Sequence, residues 1–165
     1  MTWIFNLLVF IGTFILMECF AWWMHKYILH GPLWFVHKSH HRPHKGWFEI
    51  NDLVVFVYAI PAIATMVYGE GIHHWTWWIG AGISAYGIFY FILHDIIIHR
   101  RIKVKYHFQN SYIKRLIRAH KIHHKHLQKE DSKAFGFLYA IKKYEVKTSR
   151  KSSENKTQTK KTSEV

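Results

Sequence analysis

Three long apolar runs alternate with polar stretches along the chain, and they cover residues 2–24, 53–69 and 75–93. Each run is close to the ~20 residues that a helix needs to cross the hydrocarbon core of a bilayer. Pro61 lies inside the second run, where we expect a kink. The alternation predicts an all-α fold, a polytopic membrane bundle of three or four transmembrane helices. The number stays open because residues 96–98 could help to form a fourth, shorter buried segment.

The pattern changes after the third run. Between residues 101 and 126 apolar and basic positions interleave, which predicts a helix that lies on the membrane surface. Residues 134–141 form a last apolar patch. We expect one membrane-embedded domain over residues 1–144. Residues 145–165 are rich in Lys, Ser and Thr, and we expect a disordered basic tail there because such a composition cannot bury a core.

The charge is as segregated as the hydropathy. The chain has 23 Lys and Arg against 10 Asp and Glu, a formal net charge of +13, and all basic residues lie in residues 26–45 and 100–165. Basic blocks between apolar blocks are typical of a polytopic membrane protein, and the positive-inside rule predicts that they face the cytoplasm from the inner membrane. We expect contact with anionic membrane lipid and no nucleic-acid partner, because no nucleic-acid motif accompanies the charge. The first run is long and follows no basic segment, so we expect an anchor rather than a cleaved signal peptide.

Two sets of histidines share one internal spacing. In each set, two histidines separated by four residues are followed by an H-x-x-H-H motif. The ten histidines are His25, His30, His37, His40, His41, His94, His99, His120, His123 and His124. Packing does not explain so many imidazoles, because each buried ring needs a partner. Ten ligands suggest two metal ions with four or five imidazoles each, and imidazole ligation suits iron, zinc, copper or nickel.

The predicted spans bring both sets to one membrane face. The first span ends at the first set, and the next two spans cross the membrane and return to deliver the second set. His73 and His74 fall on the opposite side and are predicted not to be ligands. His44, His107 and His126 lie on the same side as the two sets but outside the repeated spacings, and we expect them to be solvated or interfacial.

Carboxylates and cysteine add little to the expected ligand set. Asp95 directly follows a motif histidine and is predicted to orient its ring, and Asp52 and Glu49 are weaker candidates for that role. Glu18, the only carboxylate of the first run, could support the site, line a substrate cleft or be a protonated interior group. Cys19 is the only cysteine, so neither an intramolecular disulfide nor a thiolate cluster is available. The metalloprotease motif H-E-x-x-H is absent.

The residues around the histidines carry a family resemblance. The segments concerned are residues 30–34, 37–41, 48–53, 94–101, 118–124 and 135–138. Together with the order of the histidine motifs, they resemble the membrane fatty-acid hydroxylase superfamily of non-haem di-iron enzymes. Within it they look most like the bacterial β-carotene hydroxylase branch. The resemblance covers about residues 14–139.

This resemblance implies a monooxygenase that hydroxylates carotenoid β-ionone rings at C3 and turns β-carotene into zeaxanthin through β-cryptoxanthin. Two iron ions held by the ten histidines would activate O2, with one oxygen atom entering the substrate and the other leaving as water. Electrons would come from reduced ferredoxin, supplied from NAD(P)H by a reductase. The chain has no Gly-rich dinucleotide motif, haem motif or Cys cluster of its own for this supply. The basic face could dock an acidic ferredoxin.

Two alternatives stay open at this point. One is another member of the superfamily, such as a lipid or sterol hydroxylase, a desaturase or a carotenoid ketolase, which product analysis would distinguish. The other is a His-rich membrane metal transporter or sensor. A transporter should carry ligands within its spans or on both faces, whereas the motif histidines are predicted at one face.

Overall fold

The computed structural model describes residues 2–42, 46–103, 105, 108–125, 129 and 133–145. Within these residues the chain is helical and contains no strand. Three continuous helical segments of the described chain are long and apolar enough to cross a membrane: Thr2–Leu29, Ile50–Tyr68 and Trp75–Ile98. The prediction of an all-α membrane bundle is therefore confirmed, with three spans among these residues.

The spans combine α-helix with short π- and 3-10-helical turns. The α-helices are α1 (Thr2–Trp23), α2 (Trp34–His37), α3 (Val55–Tyr68), α4 (Trp75–Tyr90) and α5 (Ser111–His124). π-helical turns continue two of them, Met24–Leu29 after α1 and Phe91–Ile98 after α4. A 3-10 turn, Ile50–Val54, leads into α3, and another lies at Lys142–Tyr144.

Helix α4 is the centre of the bundle and packs against both α1 and α3. Its small residues permit this close approach. A Cβ at Gly80 would meet the carbonyl oxygen of Ala62 on α3, and a Cβ at Gly82 would lie 2.8 Å from the Cβ of Thr13 on α1. The outward faces of the spans carry large apolar side chains such as Leu16 and Ile63, which suits a lipid-facing surface.

The two ends of the bundle differ in chemistry. At one end the Trp3 ring contacts the rings of His73 and Trp78, with centroids 6.1 and 6.0 Å apart. At the same end His74 caps α4, since its Nδ1 accepts a hydrogen bond from the backbone N–H of Thr76. The ten motif histidines lie at the other end. The predicted separation of His73 and His74 from the motif histidines is therefore observed.

The chain after the third span folds back over the motif histidines. Asn110 caps α5 by accepting hydrogen bonds from two backbone N–H groups of the first turn. The predicted amphipathic helix is thus observed over Ser111–His124, and its Leu116 and Ala119 pack against Ala140 and Tyr144. The predicted disordered tail from residue 146 onward lies outside the described residues, as do the three histidines at positions 44, 107 and 126.

Candidate metal centre

Nine of the ten motif histidines form two compact groups. Within each group every residue offers one ring nitrogen, and these nitrogens lie within 4.8 Å of one another. The five-histidine group contains His25, His30, His37, His41 and His123, and the four-histidine group contains His40, His94, His99 and His120. The ring of the tenth, His124, has its centroid 4.4 Å from that of His41 and 4.5 Å from that of His120, so it lies between the groups.

The π-helical turns explain the spacing of four residues within each first motif. Residues five apart in an α-helix point about 140° away from each other, because successive residues are turned by about 100°. Here the backbone N–H of His30 donates to the carbonyl of His25 at 3.0 Å, and His99 donates to His94 at 2.9 Å. This wider turn places both histidines of each pair in the same group. π-bulges of this kind occur frequently at functional sites.

The H-x-x-H-H motifs each divide between the two groups. Spacings of three and four residues would put His37, His40 and His41 on one face of a continuous helix, and that prediction from the spacing is wrong. Helix α2 ends at His37, and the following turn sends the ring of His40 to the four-histidine group while His41 stays with His37. On α5, His120 and His123 likewise belong to different groups. Each group is therefore assembled from both halves of the sequence.

Carbonyl oxygens hold the outer nitrogen of four rings in the five-histidine group. The Nδ1 contacts are His25 to Phe135 O at 3.0 Å, His30 to Lys129 O at 3.2 Å, His37 to Asn51 Oδ1 at 2.8 Å and His123 to Lys133 O at 3.1 Å. Asn51 and these backbone groups were not predicted from the sequence. Residue types in the sequence cannot indicate which backbone carbonyl will bind a ring, because every residue carries one.

In the four-histidine group, carboxylates contact the outer Nδ1 of two rings. Nδ1 of His94 lies 3.1 Å from Asp95 Oδ1, which is the pairing expected from the sequence, and Nδ1 of His40 lies 3.1 Å from Glu49 Oε2. Asp52, the other weaker candidate, binds the guanidinium of Arg101 instead, at 2.6 and 3.0 Å.

Arg101 also lies near both carboxylates that hold rings. Its Nη2 is 3.5 Å from Glu49 Oε1 and its Nε is 3.5 Å from Asp95 Oδ1. Its pKa is raised, first by the hydrogen bond to Asp52. One guanidinium therefore contacts the carboxylates that orient two of the four rings, a role that was not predicted from the sequence.

The inner nitrogens of the rings face one another with unprotonated lone pairs. The Nε2 atoms of His25 and His37 are 3.0 Å apart, those of His30 and His123 are 3.2 Å apart, and those of His40 and His94 are 3.2 Å apart. All six Nδ1 atoms contact oxygens that can only accept, so each Nδ1 carries the proton and each Nε2 is a bare lone pair. Two such lone pairs repel unless a cation lies between them.

The spacing of these nitrogens fits a metal ion. Imidazole nitrogens bind a first-row metal at about 2.0–2.1 Å, so two neighbouring ligands at a right angle lie about 3.0 Å apart. The buried Nε2 of His124 has no hydrogen-bond partner within the described chain, and a metal would supply one. Geometry and donor chemistry of both groups therefore fit bound cations.

Burial keeps the rings neutral and able to ligate. It is the largest cause that lowers the pKa of His37 to about 3, and it likewise lowers the pKa of His99 and of His123 to about 2. Neighbouring histidines lower these pKa values further, because a second positive charge nearby is unfavourable. Neutral imidazole is the form that binds metal, so protons compete little with a cation at neutral pH.

Glu18 holds a loop rather than a ring. Its Oε1 accepts hydrogen bonds from the backbone N–H groups of residues 137, 138 and 139 at 3.0, 3.0 and 3.2 Å. Its Oε2 accepts one from the hydroxyl of Tyr86 at 2.9 Å. The ring of Phe137, in the loop thus held, stacks on His25 with centroids 4.9 Å apart. Glu18 and His25 therefore contact the same loop.

The comparisons with known proteins agree with this architecture. The fatty acid hydroxylase family model matches residues 10–144. The chain is 46% identical to a beta-carotene hydroxylase of Pantoea ananas over 140 aligned residues, and the aligned region covers 85% of this chain and 80% of that protein. It is 40% identical over 136 residues to the beta-carotene hydroxylase of Paracoccus sp. strain PC1, covering 81% and 83%. The chloroplastic beta-carotene hydroxylase 1 of Capsicum annuum is 36% identical over 138 residues, covering 81% and 43%. No solved structure is significantly similar to the chain.

Proposed function

Because the chain belongs to the fatty acid hydroxylase family, we propose that it is a membrane monooxygenase that hydroxylates the β-ionone rings of carotenoids at C3. β-Carotene would become zeaxanthin through β-cryptoxanthin. The observation that carries the proposal is the pair of histidine groups whose facing Nε2 lone pairs fit two metal ions. The substrate class is supported by relatives named beta-carotene hydroxylase at 40–46% identity over most of the chain.

The ten motif histidines would hold two iron ions, with the five-histidine group around one, the four-histidine group around the other and His124 between them. Bound iron would supply the activation of O2 and the redox step, which no side chain of the protein can perform. The protein residues orient the rings. Asp95 and Glu49 accept the Nδ1 protons of two rings and Asn51 that of a third, which keeps each Nε2 directed inward.

Helix α5 would connect the centre to its source of electrons. Its buried face carries His120 and His123, while Arg118 and Lys121 on the helix and Lys125 just after it are exposed. This arrangement supports docking of a reduced, acidic ferredoxin that is supplied from NAD(P)H by a reductase, since complementary charge guides such encounters. All Lys and Arg fall in residues 26–45 and 100–165, the same stretches of sequence as most of the motif histidines, so the positive-inside rule supports a centre that faces the cytoplasm from the inner membrane.

Expression in cells that accumulate β-carotene tests the proposal directly. Analysis of extracted carotenoids should show β-cryptoxanthin and zeaxanthin that are absent from cells with the empty vector. Unchanged β-carotene would contradict carotenoid hydroxylation, a ketone would indicate a ketolase, and a new double bond would indicate a desaturase.

Two histidine variants test the assignment of the centre. His40→Ala should abolish hydroxylation and lower the iron bound per chain, because this imidazole faces His94 at 3.2 Å. His73→Ala is the matched control, since His73 lies at the opposite end of the bundle, and it should change neither quantity. Equal losses in both variants would contradict the assignment.

A further inference from the structure

A cavity of about 290 Å³ lies between α1, α3 and α4 beside the histidine groups. His37 of the five-histidine group lines it, and so does Asp95, which holds His94 of the four-histidine group. Its inner wall includes Ala21, Tyr86 and Phe137, which are all buried. The cavity therefore adjoins both histidine groups from the side of the membrane spans.

The wall of this cavity away from the histidines offers apolar surface. Tyr58 and Tyr86 both line it, but their hydroxyl groups are engaged elsewhere. The Tyr58 hydroxyl donates to Met24 Sδ at 3.4 Å, and the Tyr86 hydroxyl donates to Glu18 at 2.9 Å. What these tyrosines present to the cavity is ring surface. A ligand without polar groups fits such a wall, because a polar group would lose its hydrogen bonds to water there.

The rim of the cavity is exposed on the lipid-facing side of the bundle. Phe48, Val55 and Phe91 line the cavity and have exposed fractions of 83%, 57% and 47%. These residues lie where the spans approach the histidine end, so a molecule dissolved in the bilayer can reach the opening. The volume is at the lower end of the roughly 300–1,000 Å³ of small-molecule sites, which suits one ring and not an entire long polyene.

We propose that this cavity receives a single cyclic hydrocarbon end group of the substrate, while the polyene chain stays outside along the lipid-facing surface. The inference rests on the proposed function and identifies where the reacting ring binds. It also implies that the two rings of one molecule are treated in separate binding events, because the cavity has room for one ring beside the histidines.

Gly87 offers a way to fill the cavity without disturbing the bundle. It lines the cavity on α4, and a Cβ built on it meets no atom within 4 Å. Gly12 on α1 is a matched control, since a Cβ there also meets nothing within 4 Å and the residue is not part of the cavity wall. Both substitutions remove a glycine from a helix, so their effects on helix stability are comparable.

The experiment compares Gly87→Ala, Gly87→Leu and Gly12→Leu with the unchanged chain, using β-carotene in membranes. We expect Gly87→Leu to lower kcat/KM roughly tenfold or more, since a misplaced methylene in an apolar pocket costs about 10–200-fold. Gly87→Ala should have a smaller effect and Gly12→Leu none. Iron bound per chain should be equal in all four proteins. β-Ionone, a probe with one ring and a short chain, should inhibit the unchanged chain competitively and inhibit Gly87→Leu more weakly.

The outcomes separate the two proposals. If the unchanged chain forms no hydroxylated carotenoid, the proposed function fails. If the unchanged chain is active and Gly87→Leu matches it with full iron content, the ring binds elsewhere and the inference is overturned. If Gly87→Leu loses iron, Gly87→Ala is compared with the unchanged chain instead. Full activity of Gly87→Ala, together with undiminished inhibition by β-ionone, would then overturn the inference.

Discussion

The two histidine groups share their motifs but differ in what holds their rings. In the five-histidine group the outer nitrogens donate to neutral oxygens, three of them backbone carbonyls of residues 129–135 and one the amide of Asn51. In the four-histidine group two of them, those of His40 and His94, donate to the carboxylates of Glu49 and Asp95. A carboxylate makes the ring a stronger donor to a metal, because its negative charge raises the basicity of the imidazole. Equal spacing in sequence therefore produces two inequivalent sites.

The groups also depend on different parts of the fold. The four-histidine group relies on a charged network in which Arg101 contacts Asp52, Glu49 and Asp95. The five-histidine group relies on the segment after α5, which returns across the bundle. Glu18 holds the continuation of that segment through three backbone N–H groups. A local change should thus weaken one site and spare the other.

The largest effect is expected from removing one ligand of each group in turn. His123→Ala and His94→Ala should each reduce the metal bound per chain from roughly two ions to roughly one, because the remaining group keeps its full ligand set. Elemental analysis of the purified chains measures this stoichiometry. Loss of both ions in each variant would show that the groups form a single cooperative unit.

The next effect concerns Arg101. Arg101→Gln should weaken metal binding at the four-histidine group by roughly 10–100-fold, the usual cost of disturbing groups that orient ligands, and leave the other group unchanged. Titration of the metal-free chain with Co²⁺, followed by absorption, resolves two binding steps. Arg100→Gln is the control. Arg100 is the exposed neighbour of Arg101, and its substitution removes the same charge but leaves the contacts of Arg101 with the carboxylates in place. Similar weakening in both variants would mean that net charge alone is responsible.

A smaller effect, at the five-histidine group, is expected at Glu18. Glu18→Gln should loosen residues 137–139, because hydrogen bonds to a charged group are stronger than those to a neutral one. Metal affinity should fall about tenfold at the five-histidine group only. Hydrogen exchange of these backbone amides should accelerate. Cys19→Ala, a change at the adjacent exposed residue, should leave exchange and affinity as they are. If these amides exchange as slowly in Glu18→Gln as in the unchanged chain, the proposed role of Glu18 in holding residues 137–139 is contradicted.

The smallest effect comes from exchanging the two kinds of oxygen acceptor. Glu49→Gln gives His40 a neutral partner, and Asn51→Asp gives His37 a charged one, while both keep an oxygen in place. Affinity should fall a few-fold at the four-histidine group in the first variant and rise at the five-histidine group in the second, following the basicity of each ring. The Co²⁺ titration measures both. Changes of the same sign in both variants would contradict the role given to charge.

Most of the fold could be predicted because its signals are local. A long apolar run has to be a helix in lipid, since no other structure satisfies its backbone without closing a barrel. The count of spans then placed the two histidine sets at one end, and the structure has them there. The π-helical turns were not predicted, although the spacing of His25 and His30 could have suggested them, because an α-helix would turn these two rings apart.

The sequence predicted which residues form the candidate site better than it predicted how they are arranged. Repeated spacing identified the ten histidines, and adjacency to His94 identified Asp95. Neither could show that His37 and His40 belong to different groups, since this depends on where α2 ends and how the chain turns. Nor could they reveal the partner of His25, a carbonyl 110 residues away. Motif spacing is a property of the chain alone. Which ring meets which oxygen is decided only when distant segments pack, because backbone oxygens occur at every residue and packing selects among them.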